Sequence, residues 1–468
     1  VTTAHNGAEK AAPKSDPILK ESYWRRKMNN RFKIVVILLI AAMLFSACTS
    51  ATPAPQETEA SQPAAQQPTT GEQVDLTFSV WGDPEELAIL QEIADDFTTE
   101  NPNVEITVNV SDWDTYWDKL QTQLAAGTPP DVFAMDAPLY PDYQSRGVLL
   151  NLQPYIQRDN FDLTDFYDTS LTCYQTADGY YGLPRDIQPS VMYYNKDMFD
   201  EAGVPYPDDT WTWDTLIEMG QKLTKDRDGD GTTDQFAIWA DLWDMELYWA
   251  SAIWQNEGEI LNADYTKTLL GEPAAMETWQ FIYDMIFKYE IMPTPSAAEQ
   301  FGDPFESGNV AMTPAGHWVV PLYSKVDFNW DVAPLPKGKT RASIVNSVGF
   351  VVAKDSNHPD EAWAFLKHLI GPKGQTKVTS LGLGVPTIKS IANSDVYLNQ
   401  QTADINQKLF LDAMDYAKVK PCFKGYDEWA TLFGDGMYSI WLGEAELQPT
   451  MDELIPQADQ ILAEANSQ

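Results

Sequence analysis

Histidine, cysteine and positive charge are all scarce in this 468-residue chain, and each scarcity excludes something. The four histidines, His5, His317, His358 and His368, fall on separate segments. No HExxH pattern places two of them on one helical face for zinc, and no GxSxG turn raises a serine nucleophile. The segment Pro336–Thr340 approaches a phosphate loop, but Ala333 stands where the first glycine is needed and Pro334 and Pro336 lack amide donors. Lysine and arginine total 31 against 69 aspartates and glutamates, a net charge of −38. Such a surface repels phosphate backbones, so nucleic acid is excluded as a partner. Cys48, Cys173 and Cys422 give no metal-ligand spacing.

What is present begins with an export signal. Arg31 and Lys33 precede an apolar run from Ile34 to Phe45, followed by Ser46, Ala47 and Cys48. A positive end, a short apolar core and small residues define a signal peptide, and a dozen apolar residues fall short of the roughly 20 that span a bilayer. Leu44 to Cys48, LFSAC, resembles a bacterial lipobox. That resemblance implies a lipid on Cys48, membrane attachment through it, and removal of residues 1–47; a start at Met28 is expected separately, because signal peptides begin with their basic end. Residues 1–47 hold eight basic and three acidic groups, so the processed chain would carry −43. Thr49 to Gln73 contains no aromatic residue, Val, Ile, Leu or Met. It cannot form a core, and as a flexible tether of this length it would reach about 25–30 Å.

Beyond the tether, 44% hydrophobic and 12% aromatic residues across the chain supply material for substantial cores. Val74–Val80 alternates as a strand, Leu87, Leu90, Ile93, Ala94 and Phe97 recur at helical spacing, and residues 103–110 read as a second strand. A helix over 117–125 and a strand over 131–135 follow. Helices are expected over 213–223, 274–289, 359–370 and 404–416, and strands near 191–194, 310–313 and 349–353. The class is α/β with a mainly parallel sheet. Cys173 and Cys422 could pair or stay free.

Four stretches then carry a family resemblance: FSVWGDPEEL (Phe78–Leu87), LAAGTPPDVFAMD (Leu124–Asp136), GLPRDIQPSVMYYNKDMFDEAGV (Gly182–Val204) and FESGNVAMTPAGHW (Phe305–Trp318). In this order they resemble the extracellular solute-binding proteins of carbohydrate ABC transporters. The resemblance implies a periplasmic-binding-protein type II fold, two discontinuous α/β lobes joined by a hinge. Residues 74–187 with 349–385 would form lobe 1, and 188–348 with 386–468 lobe 2. Crossings are expected near Gln188, near Asn346–Gly349 and near Val385–Pro386. It also implies a carbohydrate ligand, the permease subunits of an ABC transporter as partners, a monomer, no required cofactor and an extracytoplasmic location.

Ligands of such folds sit at strand carboxyl ends and between lobes. Trp81, Gly82 and Asp83 follow the first strand, and Asp136 ends the DVFAMD strand. Arg185, Asp186 and Gln188 lie at the first crossing, where carboxylate and amide groups suit sugar hydroxyls or merely stiffen the hinge. His317 and Trp318 match the family's aromatic platform, and Tyr248, Trp249 and Trp429 match its other platform regions more loosely. An aromatic face can stack on the C–H face of a sugar ring.

Asp226, Asp228, Asp230, Thr232 and Asp234 alternate around Gly231 as in a calcium loop, but Ala237 replaces the closing bidentate glutamate. A structural calcium site and a solvated acidic turn both fit. The alternative function is an exported, calcium-stabilised glycoside-active enzyme; a carboxylate pair can always be found among so many acidic residues, so without geometry such a pair carries no signal for it.

Overall fold

Residues 73–82 and 84–467 are described by the structure, a computed structural model of the chain. The leader, Cys48, nearly all of the tether and Asp83 lie outside the described residues. Among the described residues no helix is long and apolar enough to cross a membrane.

The alternating pattern at the start becomes strand β1 (Val74–Trp81), whose Val74, Leu76, Phe78 and Val80 are all buried. It pairs in parallel with β2 (Val104–Ser111) over eight residues and with β3 (Val132–Asp136) on its other side. Helix α1 (Pro84–Glu100) and helix α2 (Trp113–Ala126) make the connections. After a short hairpin of β4 (Gln175–Thr176) and β5 (Gly179–Tyr180), strand β6 (Gly182–Pro184) joins the edge of this sheet. Strand β13 (Val348–Val352) inserts between β3 and β6, giving the order β2-β1-β3-β13-β6. Phe78 meets Phe350 and Phe365 edge-on at 5.2 and 5.1 Å, locking the sheet to helix α5 (Pro359–Ile370).

The second lobe is built on β8 (Val191–Asn195), β9 (Phe236–Ile238), β10 (Val310–Ala315) and β11 (Trp330–Ala333), in the order β11-β8-β10-β9. Helix α3 (Trp213–Leu223) starts with a capping box between Thr212 and Thr215, and Trp213 stacks on Phe281 of α4 (Pro273–Phe287) at 4.2 Å. Helices α7 (Tyr426–Trp441) and α8 (Leu447–Ser467) close the chain, with Trp441 of α7 against Trp279 of α4.

A third sheet runs between the two. Strands β7 (Asp186–Pro189), β12 (Ser343–Asn346), β14 (Val385–Pro386) and β15 (Ala417–Val419) pair in the order β14-β7-β12-β15. The segments around Gln188, Asn346 and Val385 are therefore neighbours in one sheet. The parallel arrangement expected from the sequence holds for β2-β1-β3, β9-β10 and β12-β15, while the other pairings of the three large sheets are antiparallel. β7 leads into β8 and β12 into β13 with only one residue between them, so each of these two segments passes directly from the central sheet into the sheet of a lobe.

Two covalent or ionic ties fasten these layers. Arg185, 4% exposed, bonds Glu86 of α1 at 2.6 Å and Asp186 of β7 at 2.8 Å. Cys173, in the turn before β4, is disulfide-bonded to Cys422, just beyond β15, across 249 residues of sequence. Closing so long a loop restricts the unfolded chain. Replacing both cysteines with serine should lower unfolding free energy by about 2–4 kcal/mol in urea denaturation, and wild type kept under reducing conditions should lose the same amount. Equal midpoints for oxidised and reduced protein would show that the bridge contributes nothing.

Candidate ligand-binding cleft

Local signals place the cleft walls. Asp112 caps α2 by accepting from the Thr115 amide at 3.0 Å, so the helix begins at Trp113, directly beyond the carboxyl end of β2. Trp113 and Trp117 then share one face, four residues apart. Trp81, at the end of β1, packs behind them with ring centroids 4.9 and 5.5 Å away. From the second lobe come Trp243 and Trp249, and from α7 Tyr426. Trp113 and Trp243 are each 42% exposed, unusual for so large an apolar ring. Gly434 explains how Trp243 lies across α7: a Cβ there would come within 2.4 Å of the indole nitrogen, which donates to Asp435 at 3.0 Å.

These rings enclose a cavity of about 380 Å³. Its floor is polar. Asp136, at the carboxyl end of β3, accepts from the Asn346 amide at 2.8 Å, and the same NH₂ group donates to Glu246 at 2.9 Å. Lys420, immediately after β15, reaches Glu246 at 3.0 Å and Asp244 at 3.1 Å. Asp136, Asn346, Glu246 and Lys420 thus join β3, β12, the turn Met245–Leu247 and the end of β15. Burial pushes the Asp136 carboxyl up to about 6, with Lys420 and Asn346 pulling the other way, and burial likewise raises Glu246. Burial opposes the charge of Lys420, but Asp244, Glu246 and Asp136 more than restore it, so its ammonium stays protonated.

Of the residues expected at the site, Asp136 and Trp249 line this cavity, and Trp81 buttresses its wall. Gly82 follows at the strand end, where a Cβ would collide with the Glu86 carboxylate at 2.5 Å. Tyr248 is fully buried beside Trp249. Trp429 is also fully buried, its indole donating to Thr268 at 2.9 Å, while its helix supplies Tyr426 and Asp427 to the cavity. A second group gathers around β7. Asp186 is paired with Arg185, Gln188 accepts from the His317 amide at 2.8 Å, and the His317 Nε2 lies 2.8 Å from Gln407. Burial pushes His317 down to about 4, so its ring is neutral. Trp318 is half-buried, folded over Gly316 and against the apolar cluster of Ile187, Val191 and Tyr193. It does not line the 380 Å³ cavity.

Sequence reasoning missed Trp113, Trp117, Trp243, Lys420 and Tyr426. The strand-end rule was applied to β1 and β3 but not to β2, although Asp112 before Trp113 is a helix-start signal at the adjacent strand end. Lys420 carries no local signal; its place depends on β15 pairing with β12.

A solute-sized cavity, walled by side chains from both α/β lobes, defines a binding protein. The family described as bacterial extracellular solute-binding protein matches residues 81–376, and this chain belongs to it. Its body accordingly works outside the cytoplasm, and the family is one of binding proteins rather than enzymes. A Brucella abortus protein described as a binding protein is 28% identical over 380 residues, 80% of this chain and 89% of its own length. The galactooligosaccharide-binding protein of Bacillus subtilis is 23% identical over 388 residues, 80% of this chain and 86% of that one. An ABC substrate-binding protein of Listeria monocytogenes, solved in complex with cycloalternan, superposes with a TM-score of 0.76 at 22% identity, over 84% of this chain and 100% of that one.

The floor predicts a pH dependence with a definite sign. A carboxyl raised from 3.8 to about 6 in the folded state favours folding at low pH and loses that contribution as the pH rises through 6. Asp136→Asn cannot ionise. Its stability relative to wild type should therefore increase by about 2–3 kcal/mol between pH 4 and pH 7, measured by urea denaturation at each pH. A difference that does not vary with pH would remove Asp136 from the set of desolvated carboxyls.

Proposed function

We propose that this protein is a receptor that captures a sugar or oligosaccharide between its lobes and delivers it unchanged to the permease of an ABC transporter. The observation that supports it best is the cavity itself. Tryptophans on opposite walls offer flat apolar faces to a sugar ring, while Asp136, Asp244 and Lys420 offer hydrogen-bond partners to its hydroxyls. The saccharide names of the relatives support the same reading. In this proposal the sheet β14-β7-β12-β15 is the hinge: its short strands link the lobes at residues 188, 346 and 385, so a few dihedrals absorb closure. Ligand preference for the closed state then sets the population that the permease meets. The lipid on Cys48 would hold a monomeric body at the outer face of the cell membrane.

Calorimetry against a glycan panel tests the reading. Trp113→Ala and Trp249→Ala should each weaken saccharide binding at least tenfold, with the sugar recovered chemically intact. Trp318, on the β7 side of the central sheet, is proposed to meet only a ligand longer than the 380 Å³ cavity. Trp318→Ala should therefore weaken a long oligosaccharide and spare a short one. Cleavage of the bound glycan would favour the enzyme alternative, and unchanged affinity in both cavity variants would place the site elsewhere.

We also propose that the loop from Asp226 to Asp234 holds structural calcium without taking part in ligand capture. Asp226, Asp228 and Asp234 each bring a carboxylate oxygen within 4.8 Å of the others. Against this, Asp226 accepts from the amides of Gly229 and Gly231, and Arg227 pairs with Asp234 at 3.1 Å, so the turn is held together without an ion as well. Millimolar calcium should raise the melting temperature of wild type and leave Asp228→Asn unmoved. An identical melting curve with calcium and with chelator makes the loop a solvated turn.

A further inference from the structure

The strands that carry the chain between the lobes lie side by side in the sheet β14-β7-β12-β15. The Cys173–Cys422 bridge is a further tie, and its two ends are rooted in different lobes. Cys173 is buried in the turn Thr172–Tyr174. Its neighbour Tyr174 is fully buried, with its hydroxyl 3.0 Å from the Met135 carbonyl of β3 and 3.1 Å from that of Ser347, and its own carbonyl accepts from the Tyr140 hydroxyl at 3.1 Å. A Cβ on Gly349 of β13 would come within 2.7 Å of the Tyr174 ring, so this turn is packed tightly onto the sheet of the first lobe.

Cys422 is held by the other lobe. Two residues before it, Lys420 pairs with Asp244 and Glu246; one residue after it, Phe423 stacks on Tyr265 with ring centroids 5.5 Å apart. Further along, Trp429 of α7 donates to Thr268 and Trp441 packs on Trp279. All five partners lie between β9 and β10 in the chain, within the second lobe. The bridge holds the Cα atoms of Cys173 and Cys422 5.9 Å apart, and three residues on, the Gly425 amide donates to Asp142 of the first lobe at 3.0 Å.

Two bodies tied at a covalent point can turn about it but cannot part there. Helix α7 leads away from that point. Asp435, which accepts from the Trp243 indole at 3.0 Å, follows Tyr426 by about 13 Å of helix. Trp243 therefore stands well beyond the bridge, and its ring is as exposed as that of Trp113 from the first lobe.

We propose that the Cys173–Cys422 bridge is the fixed point about which the lobes turn: Lys420 and Gly425 keep their distance from the first lobe, the cleft opens by parting Trp113 from Trp243, and breaking the bridge lets it open further. This rests on the hinged-receptor reading given above. An external dithiol breaks the bridge by becoming a disulfide itself as Cys173 and Cys422 become thiols, and Cys422, the less buried of the two, is the sulfur it reaches first. A wider open range lowers the population of the closed state, and with it the apparent affinity for solute.

Small-angle X-ray scattering from the ligand-free protein tests this without any sugar. Reduced wild type and the Cys173→Ser/Cys422→Ser variant should each show a radius of gyration about 1 Å larger than that of the oxidised protein, as hinge opening does. Melting curves taken in parallel show which samples are folded. A third sample separates opening from stability: reduced wild type whose thiols are rejoined with dibromopropane, each sulfur displacing a bromide and losing its proton, keeps the loop closed but lengthens the tie. Its radius should also exceed that of the oxidised protein, while its urea midpoint stays above that of the double variant. If the unbridged forms unfold, the rejoined protein alone decides. Equal radii in all folded samples overturn the proposal and leave the bridge as a stabiliser only. An increase in reduced wild type that the double variant lacks overturns it too, as an effect of the reductant. Either result leaves the saccharide receptor standing, whereas failure of every glycan to bind leaves the pivot standing.

Discussion

One ammonium group, that of Lys420, organises the bottom of the cleft. It is buried, and a buried cation is tolerated only with close partners, which Asp244 and Glu246 provide. Glu246 is in turn linked through the Asn346 amide to Asp136. This chain of contacts runs from the second lobe through β12 to the end of β3, so side chains from three separate layers depend on one another. Removing the ammonium would leave the buried carboxyls of Asp136 and Glu246 without the cation that offsets their desolvation, whereas removing any one carboxyl would leave the cation undercompensated. The sheet β14-β7-β12-β15 makes the arrangement geometrically feasible, because the pairing of β15 with β12 brings residues 343–345 beside residues 417–419, so that Lys420 and Asn346, the next residue on each side, both reach Glu246.

Much of the fold was legible because hydrophobic periodicity is a local property. The strand at Val74, the helices Pro84–Glu100, Trp213–Leu223 and Pro359–Ile370, and the two-lobed α/β class all follow from patterns within a few dozen residues or from the four family stretches. Where local reading failed, a distant partner intervened. The helix expected over 404–416 shrinks to Lys408–Ala413, because Gln407 turns inward to His317 and the chain beyond Ala413 leads into β15. Helix α2 begins four residues before the apolar spacing suggested, since Asp112 caps it and Trp113 faces the cleft rather than the core.

The site was less legible than the fold for the same reason. Asp136, expected because it ends a strand with a recognisable signature, and Trp249, expected because its aromatic run resembles a platform region of the family, both line the cavity. Trp81 was found too, but one layer behind the surface it was expected to form. An indole in sequence reads alike whether it is a core residue such as Trp429 or a wall such as Trp243; only the glycine at 434, which lets the ring lie flat across α7, distinguishes them, and that contact spans nearly two hundred residues. Charge behaves similarly. Sequence counts carboxylates, but their convergence around one space arises from the meeting of the lobes.

The bond between Cys173 and Cys422 has a consequence for how the molecule would be taken apart. It closes most of the second lobe, including the exposed acidic turn from Asp226 to Asp234, into a covalent ring. A protease that cuts that turn produces no free fragment, because both new ends remain attached through the bridge. The nicked body keeps its two polypeptide pieces together until a reductant arrives. For a protein exposed outside the cell, this exposed acidic loop is thereby placed where a single cleavage does not separate the lobes.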